Sequence, residues 1–391
     1  MRILSFFVFT FGLFAHPHGP PGQALARAIP RELQMRSGHR SHGRSLCAGA
    51  LLALAGCGED PTGPAPDTTP GGADFSALFQ PPTAAEKQAV LADWAPPVMA
   101  TQVRTEAVDT VRIASRSVVV RIVSHVVESE RHVGAITYPV GATAALPALL
   151  YCHFDVEGIQ FESAVLVLTA VAGLRGDQFA YVIPSYRGQS LRLGSQRFRS
   201  EGERSLLDGE IADALGLLQV AWSMPQIMDG RAAALGLSAG ATVALLAAAR
   251  EPGIEAVVDY FGPSDFFGTY SEGMLRRIVD GDIPQIRRIA LVAEQLILPW
   301  ADGEISTPQM RLALLRRSPG QFADRLPPIL AHHGTADDIV DPSETTRLQG
   351  AVDVAGGQMQ SWTYLGSGHS PFGMSGALAR TAEFLGQISG Q

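Results

Sequence analysis

Gly236-Leu237-Ser238-Ala239-Gly240 constrains this chain more than any other stretch, because it joins an apolar run, Arg231 to Leu237, to an Ala-rich helical run, Thr242 to Arg250. A serine between such flanks sits on a strand-to-helix corner, the arrangement of a nucleophile elbow. That corner is strained, and side chains two residues either way would collide as the helix packs on the strand, so both outer positions call for glycine. As a small residue in an ordinary tight turn, Ser238 would leave those flanks unexplained.

A serine hydroxyl is a poor nucleophile until a histidine takes its proton and a carboxylate holds that histidine in the right tautomer. The elbow therefore predicts two more residues downstream. Only three histidines follow Ser238: His332 and His333, which close the apolar run Pro328 to Ala331 and read as strand-end residues, and His369. Between them, His333-Gly334-Thr335-Ala336-Asp337-Asp338-Ile339-Val340 reads as a strand end and a turn with carboxylates at its tip. Asp337 is the first choice for the acid and Asp338 the alternative, while Asp337 could also serve as an Asx turn or a cap for a helix starting near Pro342. His369 stands in the Gly/Ser loop Leu365-Gly366-Ser367-Gly368-His369-Ser370-Pro371, after the alternating run Met359 to Leu365.

These three segments resemble the catalytic segments of α/β-hydrolases. Ile183-Pro184-Ser185-Tyr186-Arg187-Gly188 is similar to the segment after the fourth strand of prolyl oligopeptidase-like and dienelactone hydrolase-like members, and Val257 to Asp265 to their sixth strand and its exit. The resemblance spans about residues 118 to 390 and implies Ser238 as nucleophile, Asp337 as acid and His369 as base. It also implies an α/β-hydrolase fold, a mostly parallel doubly wound sheet with a helical cap between strands 6 and 7. One departure stands out: where such members carry His-Gly-Gly or His-Gly-x after the third strand, this chain reads Tyr151-Cys152-His153-Phe154-Asp155. The amide of Phe154 or Asp155, with that of Ala239, remains able to form an oxyanion hole. A carboxylate at Asp155 would oppose it unless it points away or is paired.

The strand pattern supports this architecture independently. Val118 to Val127, His132 to Tyr138, Pro147 to His153 and Phe179 to Pro184 read as strands, Ala84 to Trp94 as an outer helix and Glu201 to Trp222 as a long helix. Alternating strands and helices beyond that point imply a doubly wound sheet. Residues 263–327 form the expected cap, with Ile283, Ile286, Ile289, Val292, Leu296, Met310, Leu312 and Leu315 at helical spacing. With Phe266, Phe267, Tyr270 and Trp300 nearby, these could line a lid over an acyl group, or simply hold the cap to the body. The cap's eight acids balance its eight arginines, which suggests solvated charge.

The N-terminus has a separate logic. Leu46 to Leu54 is a short apolar stretch preceded by Arg36, Arg40 and Arg44 and followed by Ala55-Gly56-Cys57, which looks like a bacterial lipoprotein signal with Cys57 as the lipidated residue. An earlier apolar run, Ile3 to Ala15, is the competing signal; a start at Met35 is preferred. The expected organisation is thus a signal region over residues 1–57, a Pro/Gly/Thr-rich disordered linker over 58–74 and a hydrolase domain over 75–391. Residues 1–56 hold six arginines and one glutamate, so the formal charge of −8 becomes −13 beyond them, which argues against nucleic acid as a partner. Cys152 would be the one cysteine outside the signal and the lipidation site, leaving no disulfide partner.

The expectation is a serine hydrolase of the cell envelope, lipid-anchored or alternatively secreted, acting on a small-molecule ester, amide or peptide without metal or organic cofactor. Two alternatives stay open: a prolyl oligopeptidase-type peptidase lacking a propeller, and a hydrolase-fold binding protein without turnover.

Overall fold

The computed structural model describes residues 69, 72–113, 116–172 and 178–389. The expected signal region, with Cys57, lies outside these residues, as does most of the expected linker. Thr69 and Ala73, at the linker's end, are packed rather than free: Thr69 Oγ1 donates to Ala301 O at 2.8 Å and both residues are buried.

Among the described residues twelve strands run in chain order: β1 (Thr101–Ile113), β2 (Arg116–Val127), β3 (Glu130–Pro139), β4 (Leu146–Cys152), β5 (Gly158–Gln160), β6 (Ala180–Ser185), β7 (Ser190–Leu193), β8 (Gln196–Arg199), β9 (Ile227–Leu237), β10 (Ile254–Tyr260), β11 (Ile329–Gly334) and β12 (Met359–Tyr364). Nine of them form one sheet in the order β1-β2-β3-β6-β4-β9-β10-β11-β12, and β5, β7 and β8 form a small second sheet. From β6 through β12 every neighbouring pair is parallel, while β1, β2 and β3 pair antiparallel. The central strands β4, β6, β10 and β11 are buried almost along their whole length, as parallel strands covered on both faces must be, and they read in sequence as continuous apolar runs.

Eleven helices are described, beginning with α1 (Phe75–Leu78) and α2 (Ala84–Trp94). On the body, α4 (Gly209–Trp222), α5 (Ala239–Arg250) and α10 (Ser343–Ala355) cover one face of the sheet, while α3 (Phe161–Ala172) and α11 (Ala377–Ser389) cover the other. The expected helix over Glu201 to Trp222 begins only at Gly209. Glu201 is instead bound to the body, its amide donating to Arg131 O at 2.8 Å, and Leu207 adopts φ +58°, which a helix does not accept.

Between β10 and β11 the chain forms the cap: α6 (Thr269–Val279), α7 (Arg287–Val292), a π-helical turn over Ala293–Ile297, α8 (Leu298–Ala301), α9 (Thr307–Leu315) and a 3-10 segment over Pro319–Arg325. Its apolar residues mostly hold it together. Trp300 and Met310 are fully buried, and Trp300 packs edge-on against Phe75 of α1 with ring centroids 5.0 Å apart. Solvated charge, expected of the cap arginines, holds for Arg277 but not for Arg288, Arg311 or Arg317, whose side chains are sequestered in the seams that join the cap to its surroundings. Each finds carboxylates or backbone carbonyls there, which offsets the loss of water.

Candidate active site

Ser238 occupies the corner between β9 and α5 with φ +54° and ψ −131°, a conformation that costs a non-glycine residue about 1–3 kcal/mol. Surrounding bonds hold it there. Its amide donates to Tyr260 O at 2.8 Å and its carbonyl accepts from Ala241 N at 2.9 Å. The two outer glycines are required by contact: a Cβ on Gly236 would lie 2.2 Å from Gly240 O, and one on Gly240 would lie 2.1 Å from Cys152 O. Ser238 is half-buried while the residues either side are buried, so it is the point at which this corner meets the surface.

Asp337 lies in the turn after β11, and His369 in the loop after β12. Gly334 lets the two loops touch, since a Cβ there would fall 2.1 Å from Ser367 O; Ala336 N donates to that same carbonyl at 2.9 Å. His369 Nδ1 and Asp337 Oδ2 are 2.7 Å apart. The amides of Ile339 and Val340 each donate to Asp337 Oδ1 at 3.0 Å, and His333 Nε2 stands 3.3 Å from Oδ2. Burial alone would raise the Asp337 pKa, but the hydrogen bonds from His333, His369 and Val340 hold it well below the usual carboxylate range. As an anion Asp337 only accepts, so His369 Nδ1 carries the hydrogen and Nε2 is left to take a proton. Asp338 is exposed and makes no such contact.

Phe261 links the serine corner to the histidine. It follows β10 directly, adopts φ +49°, and its ring centroid lies 4.3 Å from that of His369. Tyr260, one residue earlier, is the acceptor for Ser238 N, and a Cβ on Gly262 would be 3.3 Å from Ser238 O. Ser238, Asp337 and His369 thus gather past the C-terminal ends of β9, β11 and β12, the end of an open α/β sheet at which ligands bind.

The loop after β4 runs against the start of α5, because the position of a Gly240 Cβ lies 3.0 Å from the backbone carbon of His153. Ala239 is the first residue of α5, where an amide has no partner within the helix. Phe154 is half-buried and Asp155 exposed, with the Asp155 carboxylate accepting from Glu157 N at 3.2 Å. The carboxylate is thus turned onto the backbone of its own loop. His153 is buried and stacked on Tyr186, ring centroids 4.4 Å apart; burial and then the charge of Arg288 push its pKa down to about 3, so it is neutral.

Three polar residues around these loops have partners that the sequence does not show, although the pair Arg287-Arg288 reads as able to meet a carboxylate. His333 read as a strand end, and its contact with Asp337 depends on the turn between them. Arg288 and Glu210 are far apart in sequence, yet the Arg288 guanidinium meets the Glu210 carboxylate at 2.9 and 3.1 Å. Among the described residues no group of three or more His, Cys, Asp or Glu is arranged to hold a metal ion, and no helix is long and apolar enough to cross a membrane.

The sheet order, the cap and the serine corner define an α/β-hydrolase fold. No family model and no curated protein matches the chain. Solved structures do. An acetyl xylan esterase from a Thermoanaerobacterium species aligns over 84% of this chain and 94% of its own, with 17% identity and a TM-score of 0.50. An acetyl xylan esterase from a Paenibacillus species aligns over 79% and 98%, with 17% identity and a TM-score of 0.50. A Mycobacterium tuberculosis puromycin-hydrolyzing peptidase aligns over 70% and 46%, with 18% identity and a TM-score of 0.49. At these identities the likeness establishes the fold, which is the fold the sequence resemblance implies.

Proposed function

We propose that this protein is a serine hydrolase that cleaves carboxylic esters through an acyl-enzyme. The observation that carries the reading is the backbone of Ser238: a non-glycine residue at φ +54° flanked by two obligatory glycines, at the same end of the sheet as a histidine bonded to an anionic carboxylate. Strain of this kind persists only where surrounding structure enforces it.

In this reading Ser238 Oγ attacks the ester carbonyl while His369 Nε2 accepts its proton. The C–O bond to the leaving alcohol then breaks, and the imidazolium returns the proton to that alcohol. Water repeats the sequence to free the acid and restore Ser238. Asp337 orients the imidazole and stabilises its charged form. Backbone amides of Ala239 and of the Phe154-Asp155 loop stabilise the tetrahedral oxyanion. Acetyl xylan esterases among the fold's solved relatives support an ester with a small acyl group. A series of p-nitrophenyl esters of increasing chain length, run beside aminoacyl amides, tests this. Turnover highest for acetyl or propionyl esters supports it, and faster cleavage of the amides would replace it with the peptidase reading.

We also place the protein in the bacterial envelope, anchored through a lipid on Cys57; support comes from the signal-like sequence before that cysteine, which lies outside the described residues. Detergent partitioning that is lost in Cys57→Ser supports the anchor. Recovery of unmodified protein beginning near His16 would contradict it.

A further inference from the structure

Arg288 comes from α7 of the cap yet reaches beneath the loop that follows β4. Its side chain is only 10% exposed, and that of its partner Glu210, in the first turn of α4, 1%. Glu210 is fixed in turn by Leu207 N, which donates to it at 3.0 Å, and by Gln189 Nε2 at 3.4 Å. With two of its nitrogens committed to that carboxylate, the guanidinium still donates from Nε to Phe154 O at 3.1 Å and from Nη2 to Asp155 O at 3.4 Å. Leu291, three residues further along α7, packs with Val156 of the same loop. The cap therefore grips this loop by one polar and one apolar contact.

Peptide planarity gives the grip a chemical consequence. In a trans peptide the carbonyl of Phe154 and the amide of Asp155 point in opposite directions, so turning that carbonyl onto Arg288 turns the Asp155 N–H away from it. Among the described residues neither the Phe154 nor the Asp155 amide has a protein acceptor. The bond to the Phe154 carbonyl comes from the cap, so the orientation is imposed from outside the loop. We infer that Arg288, held by Glu210, is a positioning residue that fixes the Phe154-Asp155 peptide so that Asp155 N–H serves as the second oxyanion donor beside Ala239 N–H. Docking of the cap is thereby coupled to turnover. This inference rests on the serine hydrolase reading and selects between the two candidate amides.

The test compares Arg288→Ala and Arg288→Lys with the wild-type enzyme on p-nitrophenyl acetate, and measures inhibition by a trifluoromethyl ketone, whose adduct with a serine carries the oxyanion. A third variant, Glu210→Gln/Arg288→Ala, removes both buried charges and keeps an acceptor for Leu207 N, so a folded protein lacking the clamp is available. Loss of one oxyanion donor costs about 10² to 10³ in turnover, and a donor that is misoriented rather than deleted should cost roughly 10- to 100-fold. The expected result is that loss in kcat with KM within about threefold, matched by an equal loss of inhibitor affinity, with Arg288→Lys recovering part of both. Purely structural damage would not make inhibitor affinity and kcat fall together at constant KM. Folded variants with wild-type kcat, or a loss confined to KM, would overturn the role of Arg288 alone. A wild-type protein that neither hydrolyses the ester nor binds the ketone would overturn the serine hydrolase reading, and this inference with it.

Discussion

Asp337 accepts hydrogen bonds from two backbone amides and faces two histidines, and of the two adjacent carboxylates it is the one 2.7 Å from His369 Nδ1. Asp337→Asn should lower kcat by about 10⁴, because an amide facing Nδ1 favours the wrong tautomer. Asp338→Asn, at an exposed position, should stay within a few-fold of wild type in the same steady-state assay. The reverse pattern would move the acid by one residue. Sequence could name the pair but not choose between them, since both lie in one turn and only the backbone path after Gly334 decides which carboxylate faces His369. The elbow was more legible. Its glycines are dictated by contacts within a few residues and with one neighbouring strand, so Gly240→Ala should leave little folded protein or, where folded, little activity.

Among elements, the central parallel strands β4, β6, β10 and β11 were easily recognised because burial on both faces makes them continuous apolar runs, whereas the exposed edge strand β12 shows only alternation. β1 was missed: its thirteen residues, Thr-Gln-Val-Arg-Thr-Glu-Ala-Val-Asp-Thr-Val-Arg-Ile, carry charges along an edge strand on which Val103 and Val108 remain exposed. Its partner β2 supplies the pairing that its own composition does not announce. The short strands β5, β7 and β8 are three or four residues each, too short for periodicity to register. The attachment of α1 and α2 to the cap was equally hidden, because it depends on Arg311. Nη1 of that residue donates to the carbonyls of Ala77, Leu78 and Gln80 at 3.0, 2.7 and 2.8 Å, and Nε lies 2.6 Å from Glu86. The hydrogen bond from Arg311 pulls the Glu86 pKa down to about 2. Arg311→Met should therefore destabilise the protein by about 3 kcal/mol in denaturant unfolding, through orphaned carbonyls and an unpaired carboxylate. A change below about 0.5 kcal/mol would mean that the staple is decorative.

At the scale of the whole molecule, three of the described histidines are held neutral: His125 with a pKa pushed down to about 4, and His153 and His332 to about 3. Burial is the main cause in each, reinforced by the charges of His132, Arg288 and Arg380 respectively. In the unfolded chain each would titrate near 6.5, so between that value and its folded pKa the unfolded state binds more protons. Their contribution is complete above about pH 6.5 and is lost as pH falls, with a slope approaching about 4 kcal/mol per pH unit for three protons. Asp337 has the opposite origin: its depressed pKa contributes stability above the unfolded carboxylate value of about 3.9 and loses it only below that. Denaturant unfolding between about pH 7 and pH 4.5 should thus show an early, steep decline that replacing one of the three histidines makes shallower. A slope between those values that stays unchanged when each of the three histidines is replaced in turn would contradict their neutral burial.

The central claim concerns Ser238, and the direct measurement is covalent labelling by a fluorophosphonate followed by peptide mapping. The account predicts a single adduct on the peptide containing Ser238. It predicts no adduct in Ser238→Ala, and labelling slowed by orders of magnitude in His369→Ala, with ester turnover down about 10⁶ in both variants. A folded wild-type protein that resists the probe, or an adduct mapped to another residue, would contradict it.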